Sequence, residues 1–567
     1  PGGHGIFDFI HRDPETLMPY LSAAQAMAPQ RWWKVGGWKL PRGSGEVLNL
    51  RQGLAFWEPL AEAGIDVTIF KVPSNFPPVD CEVHSLSGMG TPDILGTYGI
   101  FTYYTDAPTG ETELSGGRVV PVLVRRGRVE TELFGPVNSY RAGDPETTIP
   151  FSVVLDRQRG EALCEVQGTR FLLREGEWSA WLTLDFELVP LLKSVSGVCR
   201  FYLMETSPAL RLYVTPINID PANPEMPIST PGHYSRDLAR ALGPYYTQGL
   251  PDDTKALEER VFGDDDYVSQ SSEVLAERTA QFAHELERFA ALDSGLLFFY
   301  YNSPDQTCHT FWRNMDPDSP MHDAEAERHE HRIREVYQAC DAALGLALEH
   351  VDDRTLVLAI SDHGFAPYHR SFHVNRWLLD NGYLNLRTGV DPSEVEYLAG
   401  IDWRRTRAYA IGINGLYLNL RGRERRGTVD PRREREELLR ELVEKLEAVT
   451  DPLTGKRAIK YAYRTDEIYS GPQTASAPDI ILGYYAGFRG SNESALGEVP
   501  GTVFADNMMK WSGDHCMAAD EVPGVIVTNR RITKDDPELL DLAPTFLSLF
   551  GLEPLPEMVG RPIFEGE

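Results

Sequence analysis

The 567-residue sequence predicts an α/β fold in which helices flank a doubly wound, mostly parallel sheet. The first observation is that apolar strands alternate with amphipathic helices: a strand at 296–301, a helix at 323–351, a strand at 355–360 and a helix at 374–381. This alternation is typical of βαβ units. The second observation is a run of short β-rich segments between turns from about 105 to 216, which predicts a mainly antiparallel insertion.

Further elements follow from local pattern along the chain. The Arg- and Glu-rich stretch 421–450 predicts a solvated helix with i,i+4 ion pairs, and the four prolines of 217–232 predict an extended connector. The remaining predicted elements are a strand at 65–72, helices from 233 and at 272–292, strands at 479–482 and 524–528, and a closing helix at 539–550.

These elements divide the chain into core, insertion and cap. Core, insertion and cap segments alternate along the sequence, because the β-rich run and a later α+β segment interrupt the α/β pattern. The predicted segments are 1–104 (core, first part), 105–232 (insertion and connector), 233–384 (core with the candidate ligands), 385–475 (a smaller cap-like α+β segment) and 476–567 (core, last part).

Composition limits the partners. The chain has 55 Lys and Arg against 84 Asp and Glu, a net charge of −29, so it should repel phosphate backbones. This negative charge argues against binding to a nucleic acid polymer and disfavours binding to an anionic membrane surface. No apolar run reaches the roughly 18 residues of a membrane span. The six cysteines form no CxxC pair, and we interpret them as reduced thiols, which favours the cytoplasm although the compartment stays open.

Carboxylate and imidazole side chains follow or precede three of the predicted strands. Asp305 and His309, one helical turn apart, follow the strand at 296–301, and Asp362 and His363 follow the strand at 355–360. His515 precedes the strand at 524–528. Ligands of open α/β sheets bind beyond the carboxyl ends of strands, and these oxygen and nitrogen donors suit Zn²⁺ or Mn²⁺. Taken alone, each motif has a structural alternative: a hydrogen bond for Asp305 and His309, a cap for Asp362, and a loop position for His515.

Taken in order, these motifs resemble those of the alkaline phosphatase superfamily, in its type I phosphodiesterase and nucleotide pyrophosphatase branch. The motifs are Asp305-xxx-His309, then Ser361-Asp-His-Gly364, then Ser512-Gly-Asp-His515. The resemblance extends from residue 1 to about 562, with the β-rich insertion less diagnostic. Further matching segments are 1–9, 415–424, 541–551 and 560–562.

The resemblance implies an alkaline-phosphatase-like fold and two divalent metal ions, Zn or Mn, bridged by substrate phosphate. Asp305, His309 and His515 would hold one ion, and Asp362 and His363 would belong to the other site. In the family that second site also takes an Asp and a Ser or Thr nucleophile upstream of the stretch that residues 1–9 resemble. We therefore expect the chain as given to be truncated at its N-terminus, with no assignable nucleophile and with impaired catalysis.

The resulting hypothesis is metal-dependent hydrolysis of a small phosphate ester, with a diester expected. The alternatives are another superfamily activity (phosphomonoesterase, sulfatase, phosphonate hydrolase or mutase) and a non-catalytic binding relative. Arg370 and His373 are candidate substrate contacts. Thr91, in a Gly-rich segment, is a candidate nucleophile, although a plain turn explains that segment better. The sequence does not predict the substrate or the oligomeric state.

Overall fold

A computed structural model describes residues 1–27, 29, 31–43, 45–108, 110, 113–323 and 326–564. The chain divides into two compact units. Unit 1 comprises Pro1–Ala23, Leu50–Phe56 and Pro304–Glu567, and unit 2 comprises Ala24–Asn49 and Trp57–Ser303.

The described helices range from one turn to 27 residues. They are α1 (Trp57–Glu62), α2 (Tyr234–Leu242), α3 (Thr254–Glu258), α4 (Asp264–Ala290), α5 (Ser303–Met315), α6 (Arg332–Glu349), α7 (Val374–Asp380), α8 (Arg435–Glu447), α9 (Thr465–Ile468), α10 (Asn492–Ala495) and α11 (Leu542–Leu549). Short 3₁₀ helices lie at Ala326–His329, Pro392–Glu394, Thr474–Ser476, Ala519–Glu521 and Leu539–Asp541.

The described strands are mostly short. They are β1 (Ile10–Arg12), β2 (Pro19–Leu21), β3 (Ala24–Met27), β4 (Trp32–Val35), β5 (Trp38–Pro41), β6 (Glu46–Asn49), β7 (Asp66–Phe70), β8 (His84–Leu86), β9 (Phe101–Thr105), β10 (Glu113–Leu114), β11 (Gly117–Pro121), β12 (Arg128–Val137), β13 (Glu146–Asp156), β14 (Glu161–Val166), β15 (Thr169–Arg174), β16 (Glu177–Trp178), β17 (Leu182–Val189), β18 (Lys193–Cys199), β19 (Phe201–Glu205), β20 (Arg211–Val214), β21 (Asn218–Ile219), β22 (Ser229–Thr230), β23 (Gly295–Phe299), β24 (Leu358–Ile360), β25 (Ala366–Phe372), β26 (Ala408–Ala410), β27 (Gly415–Leu418), β28 (Ile459–Arg464), β29 (Ile480–Tyr484), β30 (Gly487–Gly490), β31 (Phe504–Asp506), β32 (Gly513–Asp514) and β33 (Ile526–Thr528).

Unit 2 contains the predicted β-rich region, and the structure confirms it. Three sheets build it: β10-β11-β9-β20-β19-β16, β12-β13-β14-β15 and β17-β18-β21. Successive side chains of a strand point to opposite faces, and β17 accordingly alternates buried and exposed residues along its length. The inward side chains, among them Val129, Phe151, Cys164 and Phe201, form one apolar core. A separate sheet, β22-β8-β7-β23, has β7 parallel to both β8 and β23.

Unit 1 contains the strands that carry the candidate ligands. β24 pairs antiparallel with β33, while β25 pairs in parallel with β30 and antiparallel with β31 and β32. The sheet β26-β27-β29-β28 is antiparallel, and α8 packs on β28. Leu438, Leu439, Leu442 and Leu446 of α8 are buried, so its charged residues face outward as the sequence predicts.

The mixed α/β class is as predicted, whereas the strands form more separate sheets than expected. The described residues form separate sheets of two to six strands with both parallel and antiparallel pairs, so the single doubly wound sheet stays a prediction. Of the helix predicted at 323–351, α6 begins only at Arg332, because Ala326–His329 forms a 3₁₀ helix; residues 324 and 325 lie outside the described residues.

Two findings concern the cysteines and the possibility of a membrane-spanning helix. All six cysteines are free thiols. Among the described residues, no helix combines the length and the apolar character that crossing a membrane requires.

Candidate metal centre

Helix α5 supplies the first pair of candidate ligands. Asp305 lies in its first turn and His309 one turn later, so both side chains lie on one face of the helix. The Nε2 atom of His309 is 3.5 Å from Oδ1 of Asp305. His309 is buried, while the Asp305 side chain retains some access to solvent.

The turn after β24 supplies the second pair. Ser361 is fixed there because its N–H donates to the Val525 carbonyl, while its hydroxyl accepts from the Val525 N–H, each at 3.0 Å. The next turn lies so close to the chain before β33 that a Cβ atom on Gly364 would be 2.6 Å from a backbone carbonyl oxygen. His363 therefore reaches the α5 pair, with Nε2 3.9 Å from Oδ1 of Asp305.

Strand β32 and the residue before it bring His515 to the same point. The N–H of Ser512 donates to the His309 carbonyl at 2.7 Å, which fixes this segment against α5. Gly513 permits the approach, because a Cβ atom there would lie only 2.4 Å from the carbonyl oxygen of Cys308. Nε2 of His515 then lies 3.8 Å from Oδ1 of Asp305.

Three imidazoles thus converge on one carboxylate oxygen. Nδ1 of His309 is 2.7 Å from the Gly513 carbonyl, and Nδ1 of His363 is 3.0 Å from the Gly364 carbonyl. Because a carbonyl oxygen can only accept, both imidazoles donate from Nδ1, and their Nε2 atoms face Asp305. A backbone carbonyl that orients an imidazole through its other nitrogen is the arrangement found behind metal-binding histidines.

Aromatic rings hold these imidazoles in place. The Trp511 ring stacks on His309 with centroids 3.6 Å apart, and the rings of His363 and His515 stack at 3.5 Å. Phe365 contacts all three histidines edge-on, at centroid distances of 4.7 to 5.4 Å. Such packing fixes the ring orientations before any ligand binds.

The ionisation of the cluster follows from burial and mutual proximity. Burial alone would raise the pKa of Asp305, but the neighbouring His309, His515 and His363 outweigh it and lower that pKa. Burial, reinforced by His363 and His309, lowers the pKa of His515 to about 4. At neutral pH Asp305 is therefore an anion and His515 a neutral base, which are the states that bind a cation.

The residues present fit a divalent metal ion. Asp305, His309 and His515 place their donor atoms within 4.8 Å of one another. Metal bonds of about 2.1 Å in tetrahedral geometry separate their donors by about 3.4 Å, close to the 3.5 and 3.8 Å measured from Asp305. Nitrogen and carboxylate donors suit Zn²⁺ or Mn²⁺.

A second group, Asp514 with His515 and Cys516, has similar spacing but does not suit a metal ion. Oδ1 of Asp514 accepts from the N–H groups of both following residues, and Oδ2 accepts from the Trp511 indole and lies 2.9 Å from Nε of Arg489. Burial raises the pKa of the Cys516 thiol well above its ordinary value, so the thiol stays protonated.

The sequence prediction missed the role of Asp514 and Arg489. Both side chains are buried, and together they anchor the segment that presents His515. In the sequence, the only indication of a role for Asp514 is that it is adjacent to the predicted ligand His515. Nothing in the local sequence marks Arg489 as its partner.

The other predicted site residues lie in different surroundings. Asp362 is half exposed, with Oδ2 3.6 Å from Nε2 of His363. The Arg370 guanidinium is engaged by Asp451 at 2.9 Å and Asp506 at 2.6 Å, so its predicted substrate contact gains no support. His373 is likewise buried, with Nδ1 2.7 Å from the Thr502 carbonyl.

Thr91 lies in unit 2, in a turn. Its hydroxyl donates to the Gly88 carbonyl at 2.7 Å, and the side chain is buried. This is the turn that the sequence analysis favoured over a nucleophile.

Comparison with known proteins adds one finding. A family model described as type I phosphodiesterase / nucleotide pyrophosphatase matches residues 181–490, more than half of the chain. The matched range includes Asp305, His309, Asp362 and His363 and ends before His515. Neither the curated proteins nor the solved structures gave a match.

Proposed function

Since this chain belongs to the type I phosphodiesterase/nucleotide pyrophosphatase family, we propose that it is a metal-dependent hydrolase of small phosphodiesters that acts at the cluster around Asp305. The family membership indicates phosphodiesterase or pyrophosphatase activity. The observation that carries the metal assignment is the convergence of three imidazole Nε2 atoms on Oδ1 of Asp305, at 3.5, 3.9 and 3.8 Å.

We assign the ligands as the sequence resemblance implies. Asp305, His309 and His515 would hold one ion, Zn or Mn, and Asp362 with His363 would contribute to a second. The position of His363 supports a shared site, because its Nε2 lies near both Asp305 and Asp362. When bound, divalent ions would supply charge that stabilises the phosphoryl oxygens during transfer.

The chain's own residues prepare this site. The Gly513 and Gly364 carbonyls orient His309 and His363, and the anchored segment before His515 sets the position of the third imidazole. Pre-positioned ligands lower the cost of ordering the site at the moment of binding. The positive charge acquired there would also let a protein of net charge −29 accept an anionic phosphate ester.

The first experiment measures metal per chain by elemental analysis after supply of Zn²⁺ or Mn²⁺, for the wild type and for Asp305→Ala. We expect one or two equivalents in the wild type and a loss in the variant. Asp352→Ala, which removes an exposed carboxylate elsewhere in unit 1, is the matched control and should keep the wild-type value. A folded wild type that takes up no metal would contradict the proposal.

A substrate panel separates the alternatives. Bis(p-nitrophenyl) phosphate reports diester hydrolysis, whereas p-nitrophenyl phosphate, p-nitrophenyl sulfate and a phenylphosphonate ester report the monoesterase, sulfatase and phosphonate hydrolase alternatives. We expect the highest kcat/KM for the diester. Because no nucleophile is assigned in the chain, we expect low rates, and robust turnover of any of the four would contradict the expectation of impaired catalysis. Metal content, rather than a lack of turnover, separates the enzyme from the non-catalytic relative.

A further inference from the structure

The hairpin formed by β4 and β5 has a charge opposite in sign to the net charge of the protein. Residues 31–42 carry four basic side chains, three tryptophans and no Asp or Glu, within a chain of net charge −29. We call residues 31–42 the basic hairpin. It lies in unit 2.

The strand register sorts the hairpin into two faces. Trp33 pairs with Leu40, and Val35 pairs with Trp38, so these four side chains share one face, while Lys34 and Lys39 pair on the other. On the apolar face Trp33 is 61% exposed, Val35 68% and Leu40 44%. A tryptophan and two aliphatic side chains thus stand in water beside lysines and arginines.

The hairpin is firmly attached through the loop that follows β12. The N–H of Lys39 donates to the Tyr140 carbonyl at 2.6 Å, and the N–H of Ala142 donates to the Gly37 carbonyl at 2.9 Å. The guanidinium of Arg141 lies 4.0 Å from the centre of the Trp38 ring. The exposed apolar face therefore belongs to an ordered hairpin.

A second exposed apolar feature flanks the same loop. Strands β17 and β18 are joined by a turn that contains Leu191, 99% exposed, and Leu192, 84% exposed. The side chain of Asn138 in the loop donates to the Leu188 carbonyl at 2.7 Å, at the end of β17. We call residues 190–192 the leucine tip. The basic hairpin and the end of β17, which leads into the leucine tip, thus both hydrogen-bond to one loop, residues 138–144.

We propose that the basic hairpin and the leucine tip together dock this protein on the surface of an anionic phospholipid bilayer. Tryptophan and leucine side chains partition into the boundary between headgroups and acyl chains, and neighbouring lysines and arginines pair with lipid phosphates. This inference does not depend on the proposed enzymatic function.

The local charge explains how an acidic protein could approach an anionic surface. The Lys39 ammonium pairs with Asp144 of the loop, which leaves Arg31, Lys34 and Arg42 as the basic side chains that can face a lipid surface. At physiological ionic strength the Debye length is about 8 Å, so these three residues act on a nearby surface while more distant carboxylates are screened. The expectation from net charge alone, that such a surface is disfavoured, therefore does not hold for this part of unit 2. A nucleic acid is a less suitable partner, because the exposed leucine side chains would make no favourable contact with a phosphate backbone. A bilayer also accepts two projecting turns without needing a matching groove.

The test is co-sedimentation of the full chain with large vesicles of phosphatidylcholine alone or with about one third phosphatidylserine, near 0.15 M salt. We expect binding to the anionic vesicles, little binding to phosphatidylcholine alone, and weaker binding as salt rises.

Lys34→Glu should lower the partition coefficient about tenfold, since each basic residue near such a surface contributes about 1 kcal/mol and the new charge repels the lipid phosphates. Trp33→Ala and Leu192→Ser should lower it comparably.

Leu453→Ser is the matched control, because Leu453 is 72% exposed in unit 1 and should not affect binding. Quenching of tryptophan fluorescence by brominated lipid, reduced in Trp33→Phe, would place the hairpin at the bilayer. The proposal would be overturned if the wild-type protein did not bind anionic vesicles, or if the variants bound them as tightly as the wild type. Two other outcomes would assign the surface to a different partner and also overturn the proposal. One is self-association in the absence of lipid that is lost in Leu192→Ser, and the other is binding to duplex DNA as tight as binding to anionic vesicles.

Discussion

The imidazole rings of His363 and His515 stack face to face, with centroids 3.5 Å apart and planes 12° from parallel. Two protonated imidazoles at this separation would repel each other strongly. The low pKa of His515, about 4, keeps this imidazole uncharged at neutral pH. His515 is therefore available as a neutral nitrogen donor beside Asp305 at neutral pH.

Metal stoichiometry should distinguish the two groups of ligands. We expect His515→Gln to lose the ion held with Asp305 and His309, and Asp362→Asn to weaken only the second. Loss of a direct ligand should lower affinity at least about 100-fold, since even substitutions behind the ligands cost 10- to 100-fold. Isothermal titration with Zn²⁺ measures both sites. Equal effects of the two substitutions on a single binding event would instead indicate one shared site.

The ion pair of Arg489 with Asp514 should be important for stability. Asp514→Asn leaves the buried guanidinium without its counter-charge, so we expect the free energy of unfolding to fall by about 3–5 kcal/mol. Urea denaturation measures this change. The exposed pair of Lys445 and Glu441 is the control, and Glu441→Gln should cost under about 1 kcal/mol. Similar small effects at both positions would contradict the assigned role.

Gly513 should be intolerant of a side chain. In Gly513→Ala the new methyl group would meet the Cys308 carbonyl, so β32 must move away from α5 and carry His515 with it. We expect a loss of about 1–3 kcal/mol in stability together with weaker Zn²⁺ binding. Gly345→Ala in α6 is the matched control, since nothing lies within 4 Å of the added atom. It should leave binding unchanged and stabilise the helix by up to about 1 kcal/mol.

His11 should make stability depend on pH. Its Nε2 accepts from the N–H groups of Phe7 at 2.9 Å and Asp8 at 3.2 Å, so the folded state needs a neutral ring. Burial, with a smaller contribution from Arg12, lowers its pKa to about 4. The unfolded state, with a pKa near 6.5, binds the proton first, so this contribution is complete above pH 6.5 and disappears toward pH 4.

The expected loss over that interval is up to about 3 kcal/mol. His11→Asn should be less stable at pH 7 and should show a shallower decline of the unfolding free energy between pH 6.5 and 4. His331→Asn, which changes an exposed histidine, controls for the substitution itself. Parallel pH curves for the wild type and His11→Asn would contradict this account.

Local pattern predicted much of the fold because periodicity and turn residues act over short distances. The β-rich region, β23, α7 and the buried stripe of α8 all lie where hydrophobic spacing placed them. The start of α6 was wrong because the residues before Arg332 form a 3₁₀ turn rather than a longer amphipathic helix. The contact of Arg370 with Asp451 and Asp506 could not be predicted, because it joins residues far apart in sequence.

The sequence by itself determined the family, the α/β and β-rich segments, and which carboxylates and imidazoles are candidates for the metal centre. These depend on residue type, order and spacing. Only the tertiary structure decided that His363 and His515 stack, that Arg489 holds Asp514, and that a basic, aromatic hairpin stands exposed beside two leucines. Such relationships depend on close packing between distant segments, and no local pattern encodes which side chains that packing brings together.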